Sequence, residues 1–236
     1  MSNKTLDAVI FDPDQRQVLD WQKRFSFIRG ICRGLLYLYS DSRVRIIHRD
    51  LKPSNILLDE ELNPKISVFG MSRSDDSKQD PANTMTLVQT YGYIATDYAL
   101  KHPLFEKADV FGFGVLLLQI VSGERNHRLS DQEHFCIISY VWHAWKQTDM
   151  LSLIDPTILN QCFERQIFKC IQVGLLCIQL RPEDRPEFSA LIYMLDNVDN
   201  IETLPIPKQP DYTGSGLFSD RISQGRPRTW LRKWCF

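Results

Sequence analysis

Most of the side chains in this chain that could do chemistry sit in one short loop, His48-Arg49-Asp50-Leu51-Lys52-Pro53-Ser54-Asn55. It places a carboxylate, an ammonium and an amide close together, between the apolar segments Ile46-Ile47 and Ile56-Leu57-Leu58. The order H-R-D-x-K-x-x-N is that of a loop that supports phosphoryl transfer, where a base, a phosphate-steadying cation and a metal ligand must stand side by side. A merely solvated charged loop has no need of this order. The residues that follow interrupt the pattern. Where such a site is completed by Asp-Phe-Gly, whose carboxylate holds metal, this chain reads Val68-Phe69-Gly70.

Further segments stand around the loop in a fixed order: Asn3-Lys4-Thr5-Leu6-Asp7, Leu19-Asp20-Trp21, Gly34-Leu35-Leu36-Tyr37-Leu38, Asn63-Pro64-Lys65-Ile66-Ser67, Thr90-Tyr91-Gly92-Tyr93 and Asp109-Val110-Phe111-Gly112-Phe113-Gly114. Together with the loop they resemble the plant receptor-like serine/threonine protein kinases, in particular the S-domain (G-type lectin) and cysteine-rich receptor-like branches. Leu204-Pro205-Ile206-Pro207-Lys208-Gln209-Pro210 is similar to the tail that follows those kinase domains, so the resemblance runs over about residues 1 to 212. It implies that Asp50 accepts the proton of the attacking hydroxyl, Lys52 steadies the transferring phosphate and Asn55 holds one of two magnesium ions. Thr90 joins Asp50 and Lys52 in the implied catalytic set. Lys52, Asn55 and Leu57 are the implied contacts to Mg-ATP, with Asn55 as metal ligand.

The same resemblance aligns Met1 just after the hinge strand. Neither a G-x-G-x-x-G nor a V-A-I-K occurs in these 236 residues, so the glycine-rich loop and the phosphate-binding lysine are not among them. The chain is expected to supply the large lobe with the small lobe absent, and therefore no complete ATP cleft. The expected organisation is a partial kinase domain over 1–203, then a Pro/Gly-containing linker and a basic tail over 204–236.

Composition is that of an ordinary globular protein, 43% hydrophobic and 24% charged, long enough for a sizeable core. A net charge of −1 gives no global case for nucleic acid or an acidic membrane as partner. The six cysteines form no C-x-x-C pair, which points to reduced core thiols. The longest apolar run, Val110 to Val121, includes Gln119 and falls short of the ~20 residues needed to span a bilayer. It is expected to be a helix buried on all sides. With no signal peptide at the start, the chain is expected in the cytoplasm, where the relatives' kinase domains lie.

These parts must be positioned by a mostly α lobe with a small β-hairpin. Ile28, Ile31, Leu35 and Leu38 repeat as one helical face leading into the loop. Ile56-Leu57-Leu58 and Lys65-Ile66-Ser67-Val68 read as a hairpin. Helices are expected over Ile138 to Trp145, Gln166 to Leu180 and Phe188 to Leu195. Cys170, Val173, Gly174 and Cys177 share a face of the second of these, and packing is its purpose. Removal of a small lobe is expected to uncover apolar surface at Leu57 and Ile66.

The resemblance also assigns framework tasks. Asp109, expected to open the buried helix, accepts hydrogen bonds from the backbone at His48 and Arg49, and an N-cap role is compatible with that. His48 is expected in the core rather than as a base, and Arg49 as the partner of a phosphorylated residue. The activation segment runs from Val68 to roughly Asp97, with Ser74, Ser77, Thr84 and Thr86 as possible acceptors. Gln89 replaces a glycine, and Ala95-Thr96-Asp97 replaces Ser/Ala-Pro-Glu, whose glutamate pairs with the arginine matching Arg185.

Val68 is the departure with the largest chemical effect, because valine offers a hard cation neither oxygen nor charge. One reading is a catalytically inactive, pseudokinase-like lobe that binds a protein partner, a full-length receptor-like kinase or its substrate. Another is a serine/threonine kinase using Mg-ATP whose small lobe is encoded upstream. A third is the product of a decayed gene. The tail carries Arg221, Arg226, Arg228, Arg232 and Lys233 with Trp230 and Trp234, and it reads as a disordered extension rather than a lipid or RNA site.

Overall fold

The computed structural model describes residues 4–67, 69, 72–74, 105–126, 136–198, 200 and 203–210. Val68, Gln89, Thr90, Ala95, Thr96 and Asp97 lie outside the described residues, as do Ser77, Thr84, Thr86 and the tail from 211 onward.

Apolar periodicity builds the lobe. Helices α1 (Leu6–Ile10) and α2 (Pro13–Arg16) precede α3 (Trp21–Leu36). Helix α3 buries Trp21, Arg24, Ile28, Ile31 and Leu35 at spacings of three and four. The Asp20 side chain starts it by accepting from Lys23 N at 2.9 Å. The expected face at Ile28 to Leu38 is thus part of a longer helix, whose last turn loosens into a π-turn over Tyr37–Asp41.

Helix α4 (Phe105–Ser122) is the centre of the fold, with every residue from Val110 to Val121 buried. It packs along α6 (Glu164–Cys177), and glycines set the separation. A Cβ placed on Gly114 would lie 2.6 Å from Cys177 Cβ, and one on Gly174 would lie 2.8 Å from Leu118 Cδ2. Both are closer than packed carbons tolerate, so the helices touch backbone to side chain. Helices α5 (Ile137–Gln147) and α7 (Phe188–Asp196) complete the lobe, α7 lying on α3.

The hairpin is present, with β3 (Ile56–Leu58) antiparallel to β4 (Pro64–Ile66) in the register Ile56↔Ile66. A third strand, β1 (Lys4–Thr5), adds to β3 through Lys4↔Leu58, and it is too short for its sequence to betray it. A second ladder pairs β2 (Ile46–Ile47) with β5 (Arg73–Ser74). Leu57 and Ile66, expected to be uncovered, are half-buried, with Ile66 packed against Gly34 of α3. Cys32, Cys136, Cys170 and Cys177 are buried, and burial pushes the Cys32 and Cys177 thiols far above the ordinary thiol range. Cys162 is exposed, which departs from the expectation of core thiols throughout.

One buried ion pair ties distant segments. Arg24 Nη2 contacts Asp155 Oδ2 at 2.7 Å and Thr157 Oγ1 at 2.9 Å, while Nη1 donates to Ile120 O at 3.0 Å. Burial lowers the Arg24 pKa more than Asp155 raises it. Burial also pushes Asp155 up, but the Thr157 amide and the Arg24 charge outweigh this and hold it below the usual carboxylate range. The guanidinium stays charged throughout the folding range, so the carboxylate governs the pair's response to pH. No helix among the described residues is long and apolar enough to cross a membrane.

Candidate active site

The loop leaves β2, passes through a 3-10 turn at Pro53–Asn55 and enters β3. Two strands therefore fix its ends. Within it the side chains meet as their spacing predicts: Lys52 Nζ lies 3.0 Å from Asp50 Oδ2. Asn55 Nδ2 donates to both Asp50 O at 2.7 Å and Asp50 Oδ2 at 2.8 Å. Both amide hydrogens of Asn55 thus turn toward Asp50, and Oδ1 is the atom of that side chain suited to a cation. Asp50 keeps part of its carboxylate at the surface, as a base approached by a hydroxyl requires. Leu57 is half-buried on the adjoining strand.

The loop is held from beneath by Asp109, which is 2% exposed. Its Oδ2 accepts from His48 N at 2.6 Å and from Tyr39 Oη at 2.9 Å, and its Oδ1 accepts from Arg49 N at 2.7 Å. Burial drives the Asp109 carboxyl above its ordinary range, against the pull of these three donors. Burial and the same carboxylate drive the Tyr39 hydroxyl far above its own. Asp109 does not open or cap its helix, which begins at Phe105 and places Asp109 in the second turn, where its carboxylate is free to serve the loop. The anchoring matters because Arg49 has a φ of 70°, a left-handed conformation that a long side chain rarely adopts.

His48 is fully buried. Its Nε2 lies 2.9 Å from Ser67 O and its Nδ1 accepts from Asp50 N at 3.3 Å. Since a carbonyl oxygen only accepts, the hydrogen sits on Nε2, and both ring nitrogens are engaged in structure rather than proton transfer. Ser67, the residue before Val68, also donates through its N–H and its hydroxyl to Asn55 O, each at 2.9 Å. Phe69, just after Val68, sets its ring edge-on to His48 at 5.4 Å.

Asp50, Lys52 and Asn55 are thus brought together, with Leu57 on the strand that follows, whereas Thr90 lies outside the described residues. Sequence reading missed Tyr39 as a partner of Asp109, the left-handed Arg49 and the tie through Ser67. No local signal reveals Tyr39, which stands 70 residues from its partner. Arg185, the expected ion-pair partner of Asp97, is 2% exposed. It donates to Gln179 O at 2.8 Å, Lys107 O at 2.9 Å and Leu180 O at 3.1 Å, and lies over the Phe111 ring. Asp97 itself is outside the described residues.

A loop of this composition, anchored by a buried carboxylate at the base of a helical lobe, is the arrangement of a protein kinase large lobe. The chain belongs to the protein kinase domain family, whose model matches residues 1–193. Among its relatives, a G-type lectin S-receptor-like serine/threonine-protein kinase of Arabidopsis thaliana is 49% identical over 213 residues, covering 90% of this chain and 25% of the relative. A second protein of that description and organism is 48% identical over 227 residues, 96% of this chain and 27% of the relative. Cysteine-rich receptor-like protein kinase 8 of the same plant is 45% identical over 213 residues, 90% and 31% of the two chains. The chain therefore spans about a quarter to a third of the length of these relatives.

Proposed function

We propose that this chain is a receptor-like serine/threonine kinase lobe in which phosphoryl transfer is lost or severely impaired, and that it works as a binding module on the cytoplasmic side. Its partner in this reading is a protein, either a full-length receptor-like kinase or a substrate of one. The observation that carries the reading is the pairing of an assembled Asp50–Lys52–Asn55 loop with valine at position 68. Asp50 would be the base, Lys52 the phosphate contact, Thr90 the residue bonding both, and Leu57 an apolar neighbour of the nucleotide.

The donors do not fit magnesium. That ion demands near-octahedral oxygen ligation with carboxylate help, and this set offers the neutral Oδ1 of Asn55 where a kinase adds the Asp-Phe-Gly carboxylate. A glycine-rich loop, which would cover the phosphates, is also not among the 236 residues.

Differential scanning fluorimetry with Mg-ATP tests the reading. A ligand at a hundredfold excess over its dissociation constant adds about 2.7 kcal/mol, which for a chain of this size is a rise of roughly 5–10 °C. We expect less than about 1 °C at millimolar Mg-ATP, no phosphate transfer to a generic protein substrate, and no rescue by Val68→Asp in this chain. Tight binding with turnover would instead establish the active-kinase reading, which the intact loop geometry favours. The module role is tested separately, by calorimetric titration with the kinase domain of a relative.

A further inference from the structure

Residues 203–210 are pinned along α6 and the turn that follows it, and the pattern of contacts is periodic. Leu204 is packed against the core, and Pro207 and Pro210 are buried, while Pro205, Ile206, Lys208 and Gln209 are exposed. Burial recurring at every third residue is the period of a polyproline II helix, with three residues per turn. The sequence enforces that backbone. Pro205, Pro207 and Pro210 fix their own φ, and each pushes the residue before it, Leu204, Ile206 and Gln209, to extended geometry.

The lobe reads this strap through its main chain. Gln172 Nε2 donates to Leu204 O at 3.2 Å and to Pro205 O at 2.9 Å. Gln179, which is 2% exposed, makes a two-way pair with Lys208: its Nε2 donates to Lys208 O at 3.0 Å and its Oε1 accepts from Lys208 N at 2.8 Å. The second hydrogen of that amide goes to Leu175 O at 2.7 Å, so the glutamine is fully engaged only when a strand lies beside it. Gln172 lies in the last two turns of α6 and Gln179 just past its end, and three residues of polyproline II from Pro205 to Lys208, about 9 Å, carry the strap from one glutamine to the other. Asp184 adds a side-chain preference, its Oδ1 lying 2.7 Å from Lys208 Nζ.

We propose that the face of α6 bearing Gln172, with Gln179 and Asp184 beyond its end, is a binding site for polyproline II peptides of the form apolar-Pro-x-Pro-Lys-x-Pro. Residues 204–210 are its resident occupant, held in cis. The contacts of Gln172 and Gln179 with the strap go to its backbone atoms, so these two glutamines select a conformation more than a particular sequence. A proline-containing peptide of that class enters when the strap is displaced. The site lies on a different set of residues from the Asp50 loop and makes no use of phosphoryl transfer.

The experiment uses the full chain and a fluorescein-labelled peptide Thr-Leu-Pro-Ile-Pro-Lys-Gln-Pro, followed by fluorescence anisotropy. Leu204→Ser, Pro207→Gly and Pro210→Gly together release the strap. The released protein is expected to bind the peptide saturably and at least tenfold more tightly than the unaltered chain, whose strap competes from the same molecule. Adding Gln179→Ala should weaken that binding at least tenfold, and a peptide with glycine at its three proline positions should not bind. Equal binding to released and unaltered protein, or none to a released protein that still unfolds cooperatively, overturns the proposal. Hydrogen exchange on the unaltered chain decides the matter if the released protein does not fold. The Lys208 amide should then exchange at least tenfold more slowly than that of Ile206, and equally fast exchange at both overturns it.

Discussion

Replacing Asp109 by alanine probes how the loop is mounted. The substitution strips the acceptor from three donors, the amides of His48 and Arg49 and the hydroxyl of Tyr39. Each buried donor left without a partner costs about 1–3 kcal/mol. His48 and Tyr39 are both buried whereas Arg49 is nearer solvent, so we expect a loss of about 4 kcal/mol, mostly from the two buried donors. Tyr39→Phe sharpens the test. In the unaltered protein it removes a hydrogen bond to a charged acceptor and should cost about 2 kcal/mol. In the Asp109→Ala background the same change removes an orphaned hydroxyl, so it should restore about 1 kcal/mol. The sign of the effect of Tyr39→Phe therefore reverses. Urea denaturation followed by tryptophan fluorescence measures all four proteins, and a Tyr39→Phe cost that is equal in both backgrounds would refute the three-donor account. Amide exchange at Arg49 should rise in parallel, because the left-handed backbone there loses its tether.

The Arg24–Asp155 pair sets part of the acid limb of stability. Asp155 has a folded-state pKa below its unfolded value of about 3.9, so its stabilisation is complete above that pH and is lost as pH falls toward the lower folded value. Asp155→Asn should flatten the dependence of the urea midpoint on pH below about 4, and an unchanged acid slope would show that the pair carries no linkage. Gly174→Ala drives a methyl into Leu118 and should cost about 1–3 kcal/mol as overpacking. Thermal unfolding with no loss would mean that α4 and α6 can separate freely.

Much of the lobe was legible because its signals are local. The run Val110 to Val121 could only be a buried helix, and Ile56-Leu57-Leu58 with Lys65-Ile66 could pair because Asp59 to Asn63 supply the turn. Asp50, Lys52 and Asn55 are five residues apart or less, so their meeting follows from spacing. Long-range features were opaque for the converse reason. The strand at Lys4–Thr5 is two residues long, Tyr39 reaches Asp109 across 70 positions, and nothing in the identity of Arg49 announces a positive φ. Asp109 reads as the opening of the helix because the apolar run starts at Val110, whereas a polar first turn, with Glu106 and Lys107, precedes it; its bonds to the loop backbone are as the sequence implies. The strap looked like linker since proline content alone does not distinguish a free segment from one held by two glutamines.

The anchoring by Asp109 bears on what keeps a loop of this kind in shape. Its partners in the loop are main-chain amides and its third partner is the hydroxyl of Tyr39, so what it protects is the shape of the lobe rather than any reaction. Asn55 likewise closes the turn on Asp50 O, and buried His48 ties Ser67. Each of these contacts stabilises the folded loop whether or not phosphoryl transfer takes place. In a lineage that abandoned phosphoryl transfer, the loop would therefore persist as architecture after its use as a catalyst had ended.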